Sequence, residues 1–285
     1  MQVDDAGKPL SAAQTIRNVV EEAVFAESLG LDHFNVGEHH RDDFSISAPD
    51  TVLAGIATRT KSITLGTGVT VLSSDDPVRV FQRFSTIDAL SNGRAEITAG
   101  RGSFIESFPL FGYDLNDYGV LFEEKLELLV ELLKEKPVTW SGKTRAGLTD
   151  QEVYPKTERG KIPLRVGVGG TPESVVRAAR LNLQLAIAII GGDPARFAPF
   201  SHLYRHSMAE LGNELLPISI HSPGYVAETD EEAIEEQWPN FEKMFGRIGR
   251  ERGWAPPTKD GFVHEVKYGS QYVGAPESVA KKIVH

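Results

Sequence analysis

The chain has no cysteine. A disulfide framework, a zinc–thiolate centre, an iron–sulfur cluster and a thiol nucleophile are therefore excluded. Long apolar runs are missing as well. The longest, LAIAII from Leu185 to Ile190, is far too short to span a bilayer. The opening MQVDDAGKPL carries no basic-then-apolar leader pattern, so a soluble, cytoplasmic protein is expected. Positive charge is also in deficit: 30 Lys and Arg face 40 Asp and Glu, a net charge of −10. That balance argues against recognition of nucleic acid or anionic membrane through a general field, while leaving room for a local phosphate pocket.

What is present suits a folded α/β protein. Hydrophobic residues make up 40% of 285, enough for a sizeable core. An α/β barrel commonly takes roughly 250 residues as one domain. Helix and strand signals alternate along the chain. Ser11 and Gln14 have capping-box spacing before Ile16, Val19, Val20, Ala23 and Val24, and Gly30 suits the helix end. LDHFNVG reads as a short strand, SITLGTGVTVL as a β-branched strand interrupted by Gly66 and Gly68, and RAEITAGRG as another. Asp76 and Pro77 read as the N-cap and first turn of a helix. Phe122, Leu126, Leu129 and Leu133 mark an amphipathic helix.

Between about Lys136 and Gly160 the pattern lapses into loop, with one short strand at PVTW. IPLRVGVGG, TPESVVRAARLN and QLAIAIIGG then restore strand–helix–strand order. A helix near Asp193 and Pro194, a strand PISIHSPGYVA and an acidic helix opened by Thr229 and Glu232 follow. Repeated strand–helix units without a long linker predict one parallel α/β domain over 1–285, with an irregular insertion near 136–160. A barrel is favoured over an open dinucleotide-binding sheet. GVGGTP approaches the G-x-G-x-x-G turn but lacks its third glycine and a following ribose-binding acid.

Functional groups in such folds gather at the carboxyl ends of the strands, where four clusters fall: GEHHRDDF, GTGVTVLSSDD, AGRGSF and VGGTPES. In the last, Gly169 and Gly170 permit close approach. Thr171 is an expected N-cap, and Ser174 lies one turn in, an arrangement suited to an anion. It is equally a good way to start any helix, and GAPESV at Gly274–Val279 is a near-copy with Ala275 in place of threonine. Arg101, between two glycines, suits a phosphate or an electron-rich ring oxygen, or simply an acid on the surface. Gly66, Gly68 and Val69 mark a bulge, a ligand contact or tight packing.

Consecutive His39 and His40 point to opposite sides of an extended segment, so no shared metal is expected of them. One histidine facing the mouth for acid–base work, the other in the wall, fits better, with Glu38 orienting a histidine or pairing an arginine. The rival readings are a polar loop and a metal-dependent barrel hydrolase built on Glu38, His39, Asp42 and Asp43.

VGEHH, TGVTVLSSDDPVRVFQRFSTIDALSNGRAEITAGRGSF, FGYDL and VGGTPESVVRAARL, in this order, resemble the bacterial luciferase-like flavin-dependent oxidoreductases over nearly the whole chain. The resemblance implies a (β/α)8 TIM-type barrel with flavin at the carboxyl ends of the strands. It implies that His39 is the active-site histidine near the reactive edge of the flavin, and that Gly68–Val69 holds a cis peptide behind the ring. Arg101 and Ser103 would line the flavin, and Gly170, Thr171 and Ser174 would bind its phosphate.

FMN is the implied cofactor, chiefly through GRGSFIESFPLFGYDL, with the deazaflavin F420 as the alternative. The implied activity is a monooxygenase using O2 and a small organic substrate. Electrons would come from NAD(P)H or a partner flavin reductase, and no metal is implied. An F420-dependent reductase or dehydrogenase and a flavin-binding protein without catalysis are the alternatives. Dimerisation is common in the family, so a homodimer is compatible. Only MQVDDAGKPL precedes Ser11 and the chain stops at His285, so the barrel is expected to lack its first and last strands.

Overall fold

A computed structural model describes residues 7–102 and 104–284. The chain divides into two compact units, Met1–Gly167 and Val168–His285.

The first unit opens with helix α1, Ala12–Ser28. The Gln14 backbone N–H donates to Ser11 Oγ at 3.2 Å, which is the expected cap. The Gln14 side chain turns to Asn18 instead of closing the box. Strand β1 (His33–Val36) and helix α2 (Pro49–Ala57) come next. SITLGTGVTVL, read above as one strand, is two: β2 (Thr64–Thr67) and β3 (Thr70–Val71), divided at a cis Gly68–Val69 bond.

Helix α3 (Pro77–Ser91) starts where Asp76 accepts the Val78 N–H at 2.8 Å, and ends at Asn92 in the left-handed region. After β4 (Ile97–Gly100) come the short α4 (Ser107–Phe111) and the long α5 (Tyr118–Leu132). The segment expected to be loop contains an antiparallel hairpin of β5 (Val138–Trp140) and β6 (Leu148–Gln151). The second strand escaped the sequence reading because LTDQ is polar and largely exposed, so it has no buried face to set a period. Strand β7, Leu164–Val168, follows.

Pairing in this unit is parallel apart from the hairpin. β1 lies beside β2 with Val36 opposite Thr67. β3 lies beside β4 with Val71 opposite Gly100, and β4 beside β7 with Ala99 opposite Val166. Strands β2, β3 and β4 are almost continuously buried, as expected where helices cover one face and packed side chains the other, whereas β1 exposes His33 and Asn35. A parallel bridge between Leu65 and Ala95 joins the β1–β2 pair to the segment leading into β4, so the carboxyl ends of β1, β2, β3 and β4 point the same way.

The second unit contains α6 (Pro172–Arg180), β8 (Gln184–Ala188), α7 (Ala198–Glu210), β9 (Ile218–His221) and β10 (Gly224–Val226). PISIHSPGYVA is thus two strands rather than one. Helix α8 (Asp230–Arg252), α9 (Lys259–Tyr268), β11 (Tyr272–Gly274) and α10 (Pro276–Val284) complete it. β8 pairs with β9 and β10 with β11, both parallel. Ala233, Phe241, Phe262 and Val273 form a core into which Trp238 and Phe245 also pack.

Candidate functional site

In the first unit the chain leaves β1 at Gly37 and enters the loop that carries Glu38, His39 and His40. A Cβ on Gly37 would come within 3.4 Å of His39 Nε2 and 3.5 Å of the Gly68 carbonyl. The glycine therefore lets the imidazole and the cis-peptide segment crowd the same space. The His39 backbone N–H donates to Ile46 O at 3.1 Å, closing the loop. Its ring lies 4.0 Å from the Phe44 ring and 5.4 Å, edge on, from that of Phe104. Burial lowers the His39 pKa below its ordinary value, and Asp43 only partly opposes this. The neutral form of this half-buried imidazole is thereby favoured.

The two histidines do diverge. His40 Nε2 lies 2.9 Å from Glu38 Oε1, and its ring meets Phe111 edge on at 5.1 Å. Glu38 Oε2 accepts the Val71 N–H at 2.8 Å. Burial raises the Glu38 pKa, with these two hydrogen bonds pulling it back. Glu38 therefore serves His40 and not His39.

Gly68 is exposed and Val69 half-buried, so the backbone of the cis pair is open at the strand ends. Behind it, a Cβ on Gly100 would meet Val69 Cγ2 at 2.6 Å, and one on Gly167 would meet Val69 Cγ1 at 3.0 Å. Two neighbouring strands thus need glycine to seat the Val69 side chain. Gly66 is different. Its missing Cβ would strike Asn35 and Glu96, so tight packing accounts for it.

Arg101 is half-buried, with its guanidinium carbon 5.0 Å from the Tyr118 ring centre. Burial raises the Tyr118 pKa, and the Arg101 charge works against that rise. Ser103 lies outside the described residues.

Sequence reasoning missed a clamp between the two loops of this edge. Arg41, 4% exposed at its side chain, joins Asp43 at 3.0 Å and Glu106 at 2.7 Å. Its guanidinium also lies 4.4 Å from the Phe104 ring centre. Arg41 and Glu106 are 65 positions apart, so no local pattern links them. The run of charges in HRDD was the only signal, and it reads equally as a solvated loop.

In the second unit the GGTPES turn is exposed at Gly169, Gly170 and Thr171. Gly170 has φ +134°, a conformation that favours glycine. Thr171 occupies the N-cap position but makes no side-chain cap. Its hydroxyl lies 2.7 Å from that of Ser174, which is 4% exposed. The near-copy at α10 supplies an internal comparison. There Ala275 N–H and Ser278 Oγ bind the two carboxylate oxygens of Asp230 at 2.7 and 2.9 Å. The same turn, with serine three residues into it, thus seats an oxyanion. This is the observation by which Gly170, Thr171 and Ser174 fit a phosphate.

Among the described residues, no group of three or more His, Asp and Glu is arranged to hold a metal ion, and no helix is long and apolar enough to cross a membrane.

Parallel strand–helix units with a histidine loop, an open cis pair and an arginine at one strand edge define an α/β protein of the barrel class. The chain belongs to the luciferase-like monooxygenase family, whose profile matches residues 2–285. It is 29% identical over 218 residues to the N-acetyl-S-alkylcysteine monooxygenase of Bacillus subtilis, covering 72% of this chain and 62% of that one. The chain spans less than two thirds of the length of the curated relatives it matches, from 38% to 62% in three of them.

Two solved structures share the fold. The oxygenating constituent of 3,6-diketocamphane monooxygenase from Pseudomonas putida, in complex with FMN, superposes with TM-score 0.79 at 20% identity, over 96% of this chain and 84% of that one. The F420-dependent tetrahydromethanopterin reductase of Methanopyrus kandleri gives 0.74 at 18%, over 94% and 86%. The barrel class expected from the sequence is thereby established.

Proposed function

We propose that this protein is an FMN-dependent oxidoreductase, a monooxygenase that uses O2 to oxidise a small organic substrate. The observation that carries the reading is His39, a half-buried imidazole beside the Phe44 and Phe104 rings that shares the space left by Gly37 with the Gly68 carbonyl. Such an imidazole accepts or returns a proton at neutral pH from a partly desolvated position. FMN, when bound, supplies the electrons and the centre at which oxygen is activated.

Gly68 and Val69 would back the ring with their exposed backbone, and Arg101 would face it with positive charge. Gly170, Thr171 and Ser174 would take the phosphate, a role supported by the carboxylate seated in the parallel turn at α10. His39 is the catalytic residue of this reading. Electrons would come from NAD(P)H or a partner flavin reductase.

FMN is preferred to F420 because the FMN-bound neighbour has the higher TM-score of the two, and because of the GRGSFIESFPLFGYDL segment. The absorption spectrum and mass of the chromophore that copurifies with the protein test this. A flavin spectrum with the mass of FMN is expected. A deazaflavin spectrum would transfer the reading to an F420-dependent reductase or dehydrogenase of the same fold.

A further inference from the structure

Glu38 has no part in the reading above, yet its position is unusual. Its side chain is only 9% exposed, and each carboxylate oxygen has a separate partner. Oε1 holds His40 Nε2 at 2.9 Å, on the same loop as His39. Oε2 accepts the Val71 N–H at 2.8 Å, two residues beyond the cis Gly68–Val69 bond. Val71 also lies opposite Gly100 in the β3–β4 pair, and Gly100 immediately precedes Arg101. One buried carboxylate therefore ties together the histidine loop, the cis segment and, through the strand register, the base of the arginine loop.

We propose that Glu38 is a positioning residue that sets the His39 loop against the Gly68–Val69 segment, so that both meet the flavin ring in register. The proposal rests on the FMN reading of this site. Both carboxylate oxygens of Glu38 are engaged by His40 and Val71, so its part is to hold two segments together rather than to meet the ring. Its work is mechanical and depends on bridging two partners at once. A carboxylate fits the task because it has only acceptor oxygens, one for the backbone N–H and one for the imidazole. Glutamine preserves the bridge in another form: its amide oxygen accepts the Val71 N–H and its NH2 donates to the unprotonated nitrogen of His40. Alanine abolishes both bonds, leaving the Val71 N–H buried without an acceptor.

The test compares wild type, Glu38→Ala and Glu38→Gln in the full chain. FMN binding is measured by fluorescence, and the environment of the bound ring by visible circular dichroism. Glu38→Ala is expected to weaken FMN binding about tenfold and to change the visible dichroism per bound flavin. Glu38→Gln is expected to stay within about threefold of wild type with an unchanged spectrum. A Glu38→Ala protein that melts at a lower temperature but binds FMN with wild-type affinity and dichroism would overturn the proposal. So would Glu38→Gln binding as weakly as Glu38→Ala.

If Glu38→Ala does not fold, Glu38→Asp decides. One methylene shorter, it reaches only one partner, and wild-type dichroism there overturns the bridge. If the wild-type chain itself does not bind FMN, the functional reading falls first. The bridge is then judged in the cofactor-free protein by amide exchange at Val71 and the NMR shift of the His39 ring. Glu38→Ala must change both for the proposal to survive.

Discussion

The backbone N–H of Ala275 donates to a carboxylate oxygen of Asp230 across 2.7 Å, joining residues 45 positions apart. Asp230 thereby acts as the N-terminal acceptor of α10, with Ser278 on its other oxygen. Asp230→Ala removes that acceptor and is expected to cost about 1 kcal/mol, the usual scale for a lost helix cap. Chemical denaturation of the two proteins measures it. An unchanged midpoint would show that water replaces the carboxylate without loss.

Arg41 bridges Asp43 and Glu106 from a nearly buried position. Its partners are partly solvated, so the loss on Arg41→Met falls between the values for surface and buried pairs, about 2 kcal/mol. Because the bridge spans the two loops flanking His39, the variant should also expose Phe104 and Phe44 to solvent. Faster proteolytic cleavage between 101 and 107, measured on the folded protein, is the expected sign.

Gly100 faces Val69 so closely that a Cβ would sit 2.6 Å from its Cγ2. Gly100→Ala is expected to destabilise by about 2 kcal/mol through overpacking. In a Val69→Gly background, which removes the Cβ at 2.9 Å as well as both methyl groups, Gly100→Ala should cost less than half as much. Strict additivity of the two substitutions in a denaturation cycle would contradict the contact.

The His39 pKa is depressed by burial, so the folded protein holds this imidazole neutral where the unfolded chain, with an ordinary value of 6.5, is already protonating. The unfolded state then binds more protons, and stability is lost as pH falls from above 6.5 through the lowered folded pKa. An NMR titration of the His39 ring should have its midpoint below 6.5. His39→Asn should flatten the stability profile over that window. A midpoint at or above the ordinary value would refute the desolvated state on which the proposed chemistry depends.

Lys125 is 1% exposed, donates to Ser73 O at 2.7 Å and lies 3.9 Å from the Tyr113 ring centre. Burial pushes its pKa down to about 8 from 10.5, against the pull of Asp75 and Asp76. Between those two values the unfolded chain binds the extra proton, so this lysine makes stability rise with pH across that range. Lys125→Met should remove the rise, as followed by denaturation midpoints at several alkaline pH values.

Local chemistry was legible where it acts over a few residues. Ser11, Asp76 and Thr229 cap the helices that they were expected to open, because a cap needs only a hydroxyl or carboxylate and the next turn. Thr171 shows the limit of that rule: it holds the N-cap position, but its hydroxyl turns to Ser174. Strand boundaries were read less well. Glycine and proline inside apolar runs divided SITLGTGVTVL and PISIHSPGYVA, since pairing partners and not composition decide where a strand stops. Lys125 hid within the stripe of α5 because a charge on a helix is ordinarily solvated.

By itself the sequence determined the alternation of strands and helices, the absence of thiol chemistry, the excess of negative charge and the identity of the histidine loop. These follow from composition and from periods of a few residues. Only the tertiary structure decided that Glu38 serves His40 and Val71, that Arg41 reaches Glu106, that Gly66 yields to packing while Gly100 seats Val69, and that Asp230 fills the second GxPES turn. Apart from the Glu38–His40 contact, each of those outcomes joins residues far apart in the chain. The parallel register places such residues within hydrogen-bond or van der Waals reach, and the short-range signals in a sequence carry no record of that register.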